Sequence, residues 1–583
     1  MIAATRPARA GIAAACGLVV AVSTCHVACA DDALYRAWKN GPPNDPTFFP
    51  ISVWWQNPAL TGKSGKYATI AAAAVGMHIN IILGIGGWPE RYGRDDGELE
   101  AVKANRLYAI GGIEVPPNDT TSPRSIPSIL ALAHSLNANS NLIGYNAGDE
   151  PSCKPDTIGH VPAIIDGLRR QDSSRPIMFN QTTWMITPQW LGECKDEALS
   201  AVRTISIGSF DFYPLTGPWF PQVLHYPKGD FATTPNDSLW TQGMATAALI
   251  HDGRPSQPMW VFIEAGGDNL GFSSGNNVFA GGVAAGSATV TNVSGWSVFT
   301  STWLGLTLSG SGIPRGAKIT RIIDATHAVL SAPASATSMS ELISVTGGAG
   351  SGTDCVVRTN LCVVNGNEYR PRAWEVNAEV WMSLINGANG IEYFCHDSSS
   401  DFFCMGDIGG GAVAADTQAN LTSINSTVRR FASVLNASSK GICSMQHLNE
   451  ITGESSTTTW CRDGELEIST SDAAVPGMAM VKRSGGLTYL FVQSDRRSSS
   501  GAVFTCTVRG LAGQSARVVY DSNERYDARH VAQKRTFILD KDDKFSDTLG
   551  QFHDDYQVKI YQIGAAAVSK AATSPLRIRR GGA

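Results

Sequence analysis

Two glutamates stand where short apolar runs end. Glu150 lies in LIGYNAGDEPSC, just after the run Leu142–Ala147. Pro151 follows it, carries no backbone N–H and stops a strand. Glu264 lies in QPMWVFIEAGG, where Met259 to Ile263 lead straight into it. A carboxylate closing a buried strand is costly to desolvate unless it is used or paired. Gly266 and Gly267 behind it permit close backbone approach. Two carboxyl groups brought to one place can break a glycosidic bond: one protonates the leaving oxygen, the other attacks the anomeric carbon or activates water. Each glutamate also has a plainer reading. Glu150 could be an acid on a surface loop, and Glu264 could pair with an arginine.

Sugar rings need flat apolar platforms with polar groups around them. Trp54, Trp55, Trp88, Trp184, Tyr213, Trp219 and Phe394 fall at the ends of strand-like runs, and His396 and Asp397 follow the last one. Glu114, which follows the third run, and Asp211 and Glu392, which lie within the sixth and the eighth, are further acids, each a substrate contact or a core ion pair. Glu392 sits inside its run, not at its end, which favours the core role. No CxxC pair occurs and the histidines lack ligand spacing, so neither a metal nor any other cofactor is implied.

These side chains need elements that bring them together. Eight apolar runs qualify as strands: Phe49–Trp54, Ile79–Gly84, Leu107–Ile110, Leu142–Ala147, Ile177–Asn180, Ile205–Phe212, Met259–Glu264 and Gly390–Phe394. Segments between them repeat apolar residues at helical spacing, as in Ile126, Ile129, Leu130, Ala133 and Leu136. Alternating strands and helices predict an α/β fold with a parallel sheet, and eight strands close a (β/α)8 (TIM) barrel over residues 31–436. Strand ends on one face of that barrel are where active sites sit. A stretch at 275–352, rich in Gly, Ser, Thr and Val, interrupts the pattern and predicts a small all-β module. It would be a tolerated surface insertion or a wall for substrate. Residues 437–564 carry strand patterns such as Leu487–Gln493 and Ala502–Val508 and predict an antiparallel β-sandwich. An Ala/Ser-rich tail at 565–583 is expected to be mobile.

The N-terminus predicts export. Arg6 and Arg9 precede an apolar run from Gly11 to Val22, and Ala28-Cys29-Ala30 offers small residues for cleavage, so residues 1–30 read as a signal peptide. That run is short for a membrane span. A secreted or periplasmic location follows. Of the 12 cysteines, Cys16, Cys25 and Cys29 lie in this leader. Cys355 with Cys362, Cys395 with Cys404 and Cys443 with Cys461 lie close in sequence, as oxidised pairs would, and Cys506 is a candidate free thiol. The formal charge of −5 provides no basic field for nucleic acid. The oligomeric state has no signature here.

FFPISVWWQNP resembles the first strand, and FDFYP the sixth, of the clan A glycoside hydrolases. WEVNAEVWMSLINGANGIEYF is similar to the last helix and strand of their galactosidase-like members, and FSDTLGQFHDDYQVKIYQI to the closing strands of the sandwich that often follows. The resemblance implies a retaining mechanism on a carbohydrate substrate, with Glu150 as acid/base and Glu264 as nucleophile. Substrate contacts would come from Trp54, Asp149, Asn180, Trp184, Tyr213 and His396. One position departs from the family. Its members commonly carry Asn before the acid/base, and this chain has Asp149, which can accept a hydrogen bond but not donate one. Asp149 could equally partner a barrel arginine. Two other readings stand beside this one: a non-catalytic carbohydrate-binding or adhesion protein, and a barrel hydrolase of another type, which the lack of a His/Asp metal cluster disfavours.

Overall fold

The computed structural model describes residues 34–54, 67–85, 98–115, 126–149, 161–182, 204–211, 257–265, 277–292, 299, 303–309, 312–324, 326–346, 373–394, 412–445, 447–448, 455–456, 459–462, 464–473, 475–494, 501–525, 535–550 and 557–564. Strands β1 (Ile51–Trp54), β2 (Ile81–Ile85), β3 (Tyr108–Val115), β4 (Leu142–Asp149), β5 (Ile177–Thr182), β6 (Ile207–Asp211) and β7 (Met259–Glu264) follow one another along the chain. Six more, β8 (Asn277–Val283), β9 (Thr289–Asn292), β10 (Thr307–Ser309), β11 (Ile319–Ile322), β12 (His327–Leu330) and β13 (Ser338–Thr346), come before β14 (Gly390–Phe394). The barrel closes in the order β1-β14-β7-β6-β5-β4-β3-β2. All its neighbours are parallel, so every strand ends on the same rim.

The two-residue strand period sorts the side chains into two layers. Ile51, Val53, Ile82, Ala109, Phe179, Phe210, Val261 and Ile391 pack with the surrounding helices. Ile81, Leu83, Ile110, Ile143, Met178, Ile207, Trp260 and Phe262 fill the barrel interior. Trp260 is fully buried, and Gly390 makes room for it, since a Cβ there would lie 2.7 Å from the indole. The segment before β1 plugs this interior. Tyr35 donates its hydroxyl hydrogen to the Asn389 carbonyl at 3.2 Å and accepts from Trp260 Nε1 at 2.9 Å.

β3 runs to Val115, well past the expected end at Ile110. Gly111 and Gly112 hide it in the sequence, because glycine is a poor strand former. The structure has a use for that glycine: a Cβ on Gly112 would lie 2.9 Å from the Gly84 backbone, so β2 and β3 can approach only without one. Glu114 is therefore inside a strand and does not follow one. Two helices, Ala412–Arg430 and Ala432–Leu435, follow β14.

Between β7 and β14 the chain builds a six-stranded sheet in the order β10-β13-β8-β9-β12-β11, antiparallel throughout. Val283, Val290, Phe299, Trp303, Leu306, Leu308 and Leu330 form its own small core.

The remaining strands are β15 (Ser439–Ser444), β16 (His447–Leu448), β17 (Ser455–Ser456), β18 (Trp460–Arg462), β19 (Leu466–Thr470), β20 (Gly477–Ser484), β21 (Leu487–Ser494), β22 (Ala502–Val508), β23 (Ser515–Asp521), β24 (Thr536–Ile538), β25 (Lys544–Leu549) and β26 (Val558–Ile563). They form a seven-stranded sheet, β18-β15-β20-β21-β26-β23-β24, a three-stranded one, β19-β22-β25, and the pair β16-β17. Alternate residues of the two larger sheets, such as Val481, Leu490, Phe504, Cys506 and Phe545, meet in one core. Opposite faces of β20, β21 and β26 contribute Met480, Phe491 and Ile560 to the outer barrel core. Trp381, on the helix Ala373–Ile385, stacks on Phe491 with ring centroids 6.0 Å apart. Cys443 and Cys461 form a disulfide between β15 and β18, and Cys506 is a buried free thiol. The other two cysteine pairs lie outside the described residues. Among the described residues no helix is long and apolar enough to cross a membrane.

Candidate active site

Asp149 closes β4, Asp211 closes β6, Glu264 closes β7 and Phe394 closes β14. Parallel register brings these ends to one rim. Asp149 pairs across to Asn180, Thr182 to Asp211, and Glu264 to Phe394. Three acidic residues from separate strands therefore share the edge on which barrel enzymes carry their chemistry.

Beneath that edge lies a polar layer inside the barrel. Asn180 directs Nδ2 to Asp149 Oδ1 at 2.9 Å, and the same nitrogen lies 3.3 Å from Asp211 Oδ2. Ser209 of β6 has its Oγ 3.0 Å from Asn180 Oδ1 and 2.6 Å from Glu392 Oε2 of β14. The register explains the meeting: Asn180 sits opposite Ser209 on the neighbouring strand. Ser209, Asp211 and Asn180 are nearly fully buried, and Glu392 is completely so.

Burial pushes the Glu392 carboxyl up to about 8, and the nearby Asp149 charge adds to that, while the Ser209 contact opposes it. Among the described residues Glu392 makes no salt bridge, and its Oε1 has no hydrogen-bond partner. Asp149 accepts from the Asn180 amide. Arg175 lies at the other end of β4, where it binds Asp172 at 2.6 Å and donates to the Leu142 carbonyl at 2.7 Å.

Trp54 closes β1 inside the barrel, buried and edge-on to Phe262 with centroids 5.7 Å apart. Asn180 is committed to the two aspartates. Glu150 follows Asp149 directly in the chain, but it lies outside the described residues, as do Trp55, Trp88, Trp184, Tyr213, Trp219, His396 and Asp397. The Glu264 backbone ends β7, and its side chain lies outside them too.

Reading the sequence overlooked Ser209. The signal was there: in Ile207-Gly-Ser-Phe-Asp211, Ser209 shares the strand face of Asp211. Gly271-Phe-Ser-Ser-Gly275 has the spacing of a nucleophile elbow. That motif needs a strand–turn–helix setting, and here the run is separated from β7 and precedes strand β8.

No family model and no curated protein matches this sequence. Solved structures similar to it include a β-galactosidase from the psychrophilic Marinomonas ef1, at 11% identity and a TM-score of 0.36 over 66% of this chain and 60% of that one. A cold-adapted β-galactosidase from Rahnella sp. R3 matches at 10% identity and a TM-score of 0.36, over 69% of this chain and 58% of that one. The chain thus spans less than two thirds of either protein's length. A β-galactosidase from Bacillus circulans sp. alkalophilus matches at 8% identity and a TM-score of 0.42, over 91% of this chain and 100% of that one.

Proposed function

We propose that this chain is an exported glycoside hydrolase that cleaves O-glycosidic bonds of an oligo- or polysaccharide by double displacement. Glu150 is the acid/base and Glu264 the nucleophile. The observation that carries this reading is the common rim: β4 and β7 end on it with β5 and β6 between them, β7 at Glu264 and β4 at Asp149, next to Glu150 in the chain. A retaining pair works with carboxyl groups about 5–5.5 Å apart.

In this reaction Glu264 attacks the anomeric carbon while Glu150 gives its proton to the departing oxygen. The glycosyl ester removes the Glu264 charge. Glu150 then ionises more readily and takes a proton from the incoming water. Asp149, an acceptor held by Asn180, would take a hydrogen bond from a sugar hydroxyl. Trp54, Trp184, Tyr213 and His396 complete the proposed sugar site, and Asn180, whose amide is taken up by Asp149 and Asp211, serves it through Asp149. Export is supported by the N-terminal leader and by the Cys443–Cys461 disulfide, which suits an oxidising compartment.

The test is a screen of plant, microbial and host glycans, with products read by mass spectrometry and by anomeric NMR. Wild-type protein should release products with retained configuration. Glu264→Ala should release none while melting at the same temperature. Full hydrolysis by Glu264→Ala overturns the assignment.

A further inference from the structure

We propose that Glu392, Ser209, Asn180 and Asp149 form a one-way hydrogen-bond relay that starts from a protonated carboxyl on Glu392 and ends by orienting Asp149, which makes Glu392 a positioning residue for the hydrolysis. The positioning role rests on the function proposed above; the relay does not.

The argument is a count of hydrogens. Two carboxylates face the Asn180 amide, at 2.9 and 3.3 Å. Only the NH2 side can satisfy them, so the amide orientation is set and Oδ1 must face Ser209. That oxygen has no hydrogen. At 3.0 Å, Ser209 must therefore be the donor. A hydroxyl has one hydrogen. Ser209 Oγ can then only accept at its second contact, the 2.6 Å approach to Glu392 Oε2. An ionised Glu392 would set oxygen lone pairs against each other at that distance. A protonated Oε2 donates instead, and every member of the chain is satisfied in one direction. Such short O–H···O contacts are typical of strong carboxyl–hydroxyl bonds.

The surroundings agree. Glu392 is completely buried, and burial lifts its carboxyl to about 8. No cation faces it among the described residues. β1, on one side, carries no titratable residue, and its in-register Ser52 donates to the Ile391 carbonyl at 3.1 Å. β7, on the other side, carries only Glu264. β6 adds Asp211 and β4 adds Asp149. The N-terminal plug adds the Tyr35 hydroxyl, which burial above all, and Glu392 in part, holds above its usual range. Of these, the Asp149 charge disfavours a charge on Glu392.

Loss of that proton reverses the relay. Ser209 would turn its hydrogen to the new carboxylate, Asn180 Oδ1 would lose its donor, and the amide would be free to turn from Asp149. The residue next to the acid/base would lose its fixed orientation.

The test uses the intact chain and the variants Glu392→Gln and Ser209→Ala. Glutamine keeps a donor toward Ser209 and cannot ionise. Infrared spectra at neutral pH should show a protonated-carboxyl band in wild type that is missing from Glu392→Gln, a readout that needs no substrate. On a glycan the wild type cleaves, Glu392→Gln should keep kcat/KM at pH 6 within about threefold and lose activity at a higher pH than wild type does. Ser209→Ala should lower kcat at least tenfold with KM nearly unchanged. Spectra without a difference band overturn the relay. Identical alkaline limbs in wild type and Glu392→Gln overturn the positioning role alone, and failure of Glu264→Ala to lose activity overturns the hydrolase reading and leaves the infrared result standing.

Discussion

Asn180 Nδ2 and Asp149 Oδ1 are 2.9 Å apart, joining the end of β4 to the middle of β5 just below the barrel rim. The same nitrogen lies 3.3 Å from Asp211 Oδ2, so one neutral amide separates two acids from different strands. An amide suits this place because it donates two hydrogens and brings no charge.

Replacing it by a third acid should be costly. Asn180→Asp is expected to lower stability by about 1–3 kcal/mol at neutral pH, because two acceptors lose their donor and like charges crowd together. Acidification should recover part of the loss by protonating one carboxyl. Urea midpoints of wild type and variant, taken at several pH values, check this. A variant as stable as wild type at pH 7 would contradict it.

Stability should also follow the charge state of Glu392. Burial raises its folded carboxyl to about 8, above its ordinary value of 4.5. The folded protein therefore binds this proton more tightly than the unfolded chain does. Stabilisation from this group is complete below about 4.5 and is lost as pH rises through about 8. Glu392→Gln removes the titration. Its melting temperature should fall less steeply than that of wild type across this window, as scanning calorimetry would record.

Trp381 couples the barrel to the seven-stranded sheet. Its ring is fully buried and lies between Phe491, at 6.0 Å, and Tyr520, at 5.6 Å. Trp381→Ala should cost about 3–5 kcal/mol through lost burial and the cavity left behind. The loss falls on a boundary between two cores, so calorimetry should show the single unfolding transition broaden or divide.

The Cys443–Cys461 bridge closes a segment with a sequence separation of 18. A loop of this size restrains the unfolded chain by about 3 kcal/mol. Replacing both cysteines by serine should lower the denaturant midpoint accordingly and leave glycan cleavage intact, since the bridge joins β15 to β18 and not the barrel rim. Reductant should shift wild type toward the variant and leave the variant unmoved.

Much of this protein is legible in its sequence because burial imposes a local period. The runs at Ile51–Trp54, Met259–Glu264 and Gly390–Phe394 are strands, and the count of eight that closes the barrel follows from them. The Val/Thr-rich interruption after β7 forms a separate sheet for the same reason. The third strand was only half visible, because Gly112 serves a contact with Gly84 from another strand and no local pattern records it.

What the sequence determined by itself was the alternation of strands and helices and the strand-closing position of Glu264, since both depend on residues close along the chain. The tertiary structure alone decided the meeting of Ser209 with Glu392, 183 residues apart, the contact of the Asn180 amide with Asp149, and the complete burial of Glu392. Hydrogen-bond direction and desolvation depend on which groups closure of the barrel brings together, and no spacing along the chain encodes that.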